Sequence, residues 1–376
     1  MKKLFIFATA AVVALAACTK SEVNNVTSEN GPAISFQVAN YAGQTKAGET
    51  SLKDEGFETF KTYAWYTSST ADNQAFMTPA TVTWDAGNTQ WAPSDHVYYW
   101  PKTGYINFFS FAGKHYPDAV NLNASENNRA EAHYTTAITV ATNDNILVAD
   151  GAYGFYNNDA AEYKLDGVTK GVPTLFRHML SRVKFDVKVD ATDVDDTKNH
   201  WKVTVTSATV SYRNQGKLEV VFQDDPTIAL GTDNKPTAAG TTAKYVSQVW
   251  TPESAANVTL TNAANVIVET DGHAASDSKN LIADSVVMPQ TLATTGVTVA
   301  LTYTLEHTYN GGTPITEVVP ISAKALTDFT PSIAAWDPNT IYTYHIVIKP
   351  AADNKILFDP AVETWAEVST PTYTIK

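Results

Sequence analysis

The chain has one cysteine, Cys18, at the end of the run Leu15-Ala16-Ala17-Cys18. Lys2 and Lys3 precede it, followed by an apolar stretch from Leu4 to Ala14. Small residues just before a cysteine are what lipoprotein maturation acts on: a diacylglyceryl group is joined to the sulfur and the chain is cut ahead of it. The apolar stretch falls short of the roughly 20 residues a membrane-crossing helix needs. The mature chain is therefore expected to start at Cys18 and to be held at a membrane by lipid. An ordinary A-x-A secretory cleavage beside a coincidental cysteine is the plain alternative. A lone cysteine also excludes an internal disulfide framework and a cysteine-ligated zinc site.

Other chemistry is sparse. The eight histidines form no H-E-x-x-H and no i, i+4 pair, and G-x-S-x-G, Walker and G-x-G-x-x-G patterns are absent. His178, in LFRHMLSRV, reads as a structural histidine rather than a base. Asp190, Asp193, Asp195 and Asp196 offer oxygen ligands for Ca²⁺, but without the turn glycine and distal Glu of an EF-hand they read as a solvated turn. Trp65, Trp84, Trp91 and Trp100 could stack on a carbohydrate; in a sheet protein without disulfides they more often fill the core. Asp284-Ser285-Val286 matches a short, weak O-glycosylation-type pattern. No cofactor, metal site or enzymatic activity is expected. A net charge of -13 argues against nucleic acid as a partner, which requires a basic face.

The elements that would position any site are strands. Of the 376 residues, 44% are hydrophobic and 17% charged, enough apolar material for about two domains and too little charge for a disordered chain. Residues 1–17 read as the signal peptide and 18–31 as a polar tether. From Pro32 the pattern alternates: Ile34, Phe36 and Val38 against Ser35, Gln37 and Ala39. Leu175 to Val189 reads as the longest strand, with Val183, Phe185, Val187 and Val189 on one face and Arg182, Lys184, Asp186 and Lys188 on the other. Only short helices are expected. Residues 223–243, rich in Pro, Gly and polar residues, predict a linker between an N-terminal β-sandwich over 32–222 and a C-terminal one over 244–376. The expected class is all-β, two tandem sandwiches.

Several segments in order resemble the fimbrillin family of the Bacteroidetes, the type V pilins and their Mfa-like relatives. They are the LAAC lipobox, AISFQVANYAGQTKA, FETFKTYAWYT, VTWDAGNTQWAPSDHVYYWP, YINFFSFAG, VPTLFRHMLSRVKFDVKV, VVMPQTL, WDPNTIYTYHIVIKP and ILFDPAVETWAEV. The resemblance implies transthyretin-like sandwiches, export to the outer membrane and cell surface through lipid on Cys18, removal of the first strand by a trypsin-like protease, and polymerisation with other fimbrillin subunits into an adhesive fimbria.

The residues fit that scheme. Lys46 is the one basic residue between Ser21 and Leu52, in the polar stretch YAGQTKAGETS, so the Lys46–Ala47 bond is the expected cut. The better-known members of the family are cut after Arg. Ejecting the strand that carries Ile34, Phe36 and Val38 would open an apolar groove with unpaired backbone edges, which another chain can fill. The expected donor is the C-terminal stretch with Val362, Trp365, Val368, Tyr373 and Ile375. The alternatives are that Lys46 is a loop lysine in a subunit never cut, and that the chain is a monomeric surface lipoprotein binding glycan or a host ligand.

Overall fold

The computed structural model describes residues 32–40, 52, 57–69, 74–88, 90–113, 121–122, 132–141, 144–157, 171–194, 197–223, 228–238, 240–244, 246–253, 257–328, 332–350 and 355–364. Most of this is strand. The chain begins with β1 (Phe36–Asn40), β2 (Thr59–Thr67), β3 (Gln74–Asp85), β4 (Gln90–Pro93), β5 (Tyr105–Gly113), β6 (Asn121–Leu122), β7 (Ala132–Thr139), β8 (Ile146–Ala149), β9 (Gly151–Phe155) and β10 (Val172–His178). Next come β11 (Ser181–Val189), β12 (Asn199–Tyr212), β13 (Gln215–Val221), β14 (Thr241–Ala243), β15 (Ser247–Pro252), β16 (Val258–Thr261), β17 (Val266–Asp271) and β18 (Lys279–Val287). The last are β19 (Gln290–Thr291), the one-turn helix α1 (Leu292–Thr295), β20 (Thr298–Tyr309), β21 (Ile315–Ala325), β22 (Ala335–Trp336), β23 (Thr340–Lys349) and β24 (Lys355–Thr364).

The first unit is built on a sheet ordered β14-β9-β5-β2-β3-β4-β1-β10-β8, in which β5 also pairs with β8. The pairing from β5 through β2, β3, β4, β1, β10 and β8 therefore returns to β5 and closes a ring. One face of that ring holds Ile34, Phe36, Phe60, Val82, Trp91, Phe108 and Phe176 in a single core. The opposite face of the same strands, through Tyr63, Trp65, Phe109, Phe111 and Val148, packs on Ile138, Leu218 and Val220 of the sheet β15-β13-β7-β6 and on Phe222 just after β13. Burial on both sides is why β5 reads YINFFSFAG without alternation.

The second unit is a sandwich of the sheets β18-β11-β23-β24 and β16-β12-β20-β21, with β17 also on β12. Val183, Phe185 and Val187 of β11 face Val203 and Val205 of β12 and Tyr303 of β20 across one core. Here the alternation expected around Val183–Val189 is realised, with every second residue buried until Asp186, which is buried too.

The sheets divide the chain elsewhere than at residues 223–243. β11 and β12 precede that stretch yet pair with β18, β23, β16, β17 and β20 beyond it. β13 and β15 flank it and pair with each other. The stretch itself lies on the first unit: Gly104 N–H donates to Asn234 O, Tyr153 Oη to Gln223 O, and β14 pairs with β9. A polar, Pro- and Gly-rich composition marks a surface excursion as readily as a linker.

The first crossing between units is at Met179–Leu180, inside the segment expected to be one strand. Both side chains are fully buried. Met179 O accepts from Trp250 Nε1 at 2.9 Å and from Gln248 Nε2 at 3.2 Å, while Asn339 N donates to Leu180 O. β10 and β11 carry the same alternation but serve different sheets.

Candidate functional site

Five residues, Ile34-Ser35-Phe36-Gln37-Val38, form the candidate site. Their alternation aims Ile34, Phe36 and Val38 into the core of the ring, where they are 1%, 2% and 0% exposed. Ser35 and Gln37 on the other face are buried as well. The strand is thus enclosed on both faces although it is the first described element of the chain.

Its two neighbours hold it unequally. β10 runs parallel to β1 with five register pairs, from Phe36↔Val172 to Asn40↔Phe176. β4 meets it antiparallel at the single pair Phe36↔Trp91. Ahead of β1, Ile34 N donates to Tyr98 O at 2.8 Å and Trp100 N to Pro32 O at 3.2 Å.

Gly171, just before β10, lets that wall come close. Its φ is +156°, and a Cβ built there would lie 2.9 Å from the Phe36 carbonyl carbon and 3.0 Å from Gln37 N. Only a residue without a side chain fits against β1 backbone at this distance. Nothing in the local pattern GVPTLF marks this role, because the demand comes from the partner strand.

Phe36 occupies an aromatic pocket. Its ring stands edge-on to Phe60 at 5.6 Å and to Phe108 at 5.5 Å. Phe60 in turn meets Phe176 at 5.4 Å and Trp91 at 5.7 Å. Such edge-to-face contacts add to the area burial. Trp91 is fully buried and its Nε1–H has no hydrogen-bond partner among the described residues. An unmade hydrogen bond on a buried donor costs about 1–3 kcal/mol.

The far wall is pinned by a buried ion pair. Arg177 on β10 donates from Nε to Asp150 Oδ1 at 2.7 Å and from Nη2 to Oδ2 at 2.9 Å. Asp150 N donates to Leu175 O, so the turn between β8 and β9 is fastened to β10. His178 Nδ1 is 3.0 Å from Asn145 Oδ1, a structural contact.

After β1 the chain is next described at Leu52, which is fully buried in the same core and accepts a hydrogen bond from Phe57 N. Lys46 and Ala47 lie between these two anchors, outside the described residues, as does Cys18. Of the expected donor residues only Val362 is described. It lies in β24, at the edge of its sheet, pairs with Tyr342 and is 55% exposed. Trp365, Val368, Tyr373 and Ile375 lie outside the described residues.

Other sequence candidates take structural places. Asp190 and Asp193 share Lys349, whose Nζ is 3.7 Å and 2.5 Å from them. The Thr192 hydroxyl bond holds the Asp190 carboxyl below the ordinary range, with burial opposing. Asp195 and Asp196 lie outside the described residues. Among the described residues no group of His, Cys, Asp and Glu is placed to hold a metal. Trp65, Trp91 and Trp100 are buried and Trp84 packs on the same core. Ser285 is buried in β18, donating to Ala283 O, and Asp284 is paired with Arg182. Among the described residues no helix is long and apolar enough to cross a membrane.

Comparison with known proteins gives likeness of fold only. No family model and no curated protein matches the chain. Among solved structures it is similar to a fimbrial protein of Bacteroides vulgatus, with 14% identity, 88% of this chain and 99% of that one covered, and a TM-score of 0.46. It is similar to a candidate cell adhesion protein of Bacteroides uniformis, with 15% identity, 89% and 98% covered, and a TM-score of 0.38. A candidate cell adhesion protein of Parabacteroides distasonis aligns with 9% identity, 90% and 98% covered, and a TM-score of 0.42. These descriptions are of the same kind as the family resembled in sequence. At such identities and TM-scores they carry no argument about what this chain does.

Proposed function

We propose that the chain is a structural, non-catalytic subunit of a cell-surface fimbria, exported as a lipoprotein on Cys18, cut by a trypsin-like protease after Lys46, and polymerised by β-strand exchange in support of adhesion. The observation that carries this reading is β1 itself. It completes a closed ring and is buried on both faces, yet it is followed by a short stretch with one basic residue and then by a separate anchor, Leu52.

Cutting at Lys46 removes the covalent tether and none of the contacts. Ile34, Phe36 and Val38 contribute about 1.5–3 kcal/mol each through burial, so the cut strand stays seated until a competitor replaces it. A competing strand gains the same apolar slot and the open edges of β4 and β10. Shaft, tip and anchor positions differ in whether the lipid is kept. In this reading the partners are other fimbrillin subunits, and the place of the mature chain is the outer membrane and cell surface.

Trypsin treatment of purified precursor tests the proposal. SDS-resistant ladders and filaments by electron microscopy are the expected result. Monomers that remain monomers, with saccharide-dependent tryptophan fluorescence, would instead favour a ligand-binding surface lipoprotein. The buried positions of Trp65, Trp91 and Trp100 weigh against that second outcome.

A further inference from the structure

We infer that β21, the long outer strand of the second unit, is an edge closed to strand addition: Pro320, a bulge beyond it, and the charged residues Glu317 and Lys324 on its core side stop the same strand of a second copy from pairing there. Nothing in this depends on strand exchange in the first unit.

Without such devices β21 would be a hazard. Among the described residues it pairs with β20 alone, although it runs for 11 residues. Its first half, Ile315-Thr316-Glu317-Val318-Val319, is mostly β-branched, and Ile315 and Val318 are 71% and 63% exposed. A long apolar edge with free N–H and C=O groups is a template for another chain. A second copy of the same strand, antiparallel across a two-fold axis, fits it in length and composition.

The backbone interrupts that template. Each side of a strand in an antiparallel ladder uses the N–H and C=O of every second residue. Proline has no N–H, so in a sheet it stands where its nitrogen faces away from the partner. Pro320 lies opposite Thr302 of β20 and therefore turns its nitrogen to the open edge. Thr316 and Val318 face the same way, and Pro314 ends the run ahead of the strand. An incoming strand meets two consecutive outward donors and then a ring. Beyond Pro320 the ladder is irregular: Leu301 pairs with Ile321 and Val299 with Lys324, so Ser322 and Ala323 stand against Ala300 alone. A bulge of this kind bends and twists the edge.

The side chains complete the block. Cross-strand partners share a face. Glu317 lies opposite Leu305 and Lys324 opposite Val299, and both partners belong to the core. The two charged residues thus hold core-side positions while staying exposed at the rim. The Glu317 charge adds to the burial that pushes the Tyr303 hydroxyl up to about 12. A two-fold pairing that uses Thr316 and Val318 is centred on Glu317, so the carboxylates of the two copies would face each other across the axis, a destabilising arrangement. The neighbouring edge repeats the proline. β17 packs beside β18, which leaves β21 and β24 along the other side of the sandwich, and β24 has Pro360 opposite Tyr344.

The test uses the full, unprocessed chain, with sedimentation velocity over a concentration series. Glu317→Val with Pro320→Thr should convert monomer to dimer, tightening self-association about a hundredfold, and Pro320→Thr alone about tenfold. The amide protons of Thr316 and Val318, which exchange freely in the parent, should become protected in the dimer. Adding Val318→Lys should return the double variant to monomer. A double variant that stays monomeric at the parent's melting temperature overturns the inference. So does one that associates with Thr316 and Val318 unprotected, or that Val318→Lys does not restore, since another surface then carries the contact. Unfolding of both the single and the double variant overturns it too, because Pro320 would then serve the fold and not guard the edge.

Discussion

Placing a methyl group at residue 171 probes the seat of β1 without touching the strand. In Gly171→Ala the new Cβ meets backbone only, 2.9 Å from the Phe36 carbonyl carbon, 3.0 Å from Gln37 N and 3.2 Å from Phe36 Cα. Backbone cannot rotate aside as a side-chain tip can. The left-handed φ of +156° adds strain of about 1 kcal/mol. The forced contact adds about 1–3 kcal/mol. Together, about 2–4 kcal/mol weakens the hold on β1, or about 30- to 1,000-fold in the affinity of the cut strand for its slot. The assay follows release of the β1 fragment from processed subunit by gel filtration and mass spectrometry, with a competing β1 peptide in excess. Gly296→Ala is the control, since its φ of +68° imposes strain while no atom of the described residues lies within 4 Å of the new atom. Release should be fast in the first variant and unchanged in the second. Equal release from both, or none from either, refutes the close approach as the device that seats β1.

Three further outcomes are expected. Arg177→Met alone leaves the Asp150 carboxylate buried and unpaired, and should destabilise the first unit by about 3–5 kcal/mol in urea unfolding, with much of it recovered in Arg177→Met/Asp150→Leu. Deleting 365–376, which spares the ladder of β24 on β23, should leave the melting temperature unchanged and abolish polymerisation after processing. Burial pushes Tyr212, Tyr303 and Tyr342 up to about 12, above the unfolded value near 10. The unfolded chain therefore loses these protons first. Their contribution is complete below pH 10 and is lost as the pH rises towards 12, which denaturant titrations across that window, read with phenolate absorbance, should record.

How far the sequence could be read depended on whether the constraint was local. Alternation was enough to identify β1 and β11 as strands and to aim Ile34, Phe36 and Val38 inward, because side-chain period is a property of one strand. It could not say that β11 and β12 belong with strands more than 50 residues later, since pairing is chosen by burial across the whole chain. It merged β10 with β11, whose alternation runs on almost unbroken through a buried Met179–Leu180. It passed over β13, whose QGKLEVV places a glycine and two charged residues among its apolar ones. Gly171 and Trp91 were invisible as parts of the site for one reason: each matters through a neighbour, one through the backbone of β1 and the other through a hydrogen bond not made. The aromatics, weighed as either core or platform, resolve into core because the ring packs on both of its faces.

The most direct measurement is the mass of the subunits in purified fibres. The account predicts chains that begin at Ala47, with residues 32–40 missing from the washed polymer. Fibres whose subunits still carry those residues would contradict it, since a slot that never empties cannot receive a strand from a neighbour.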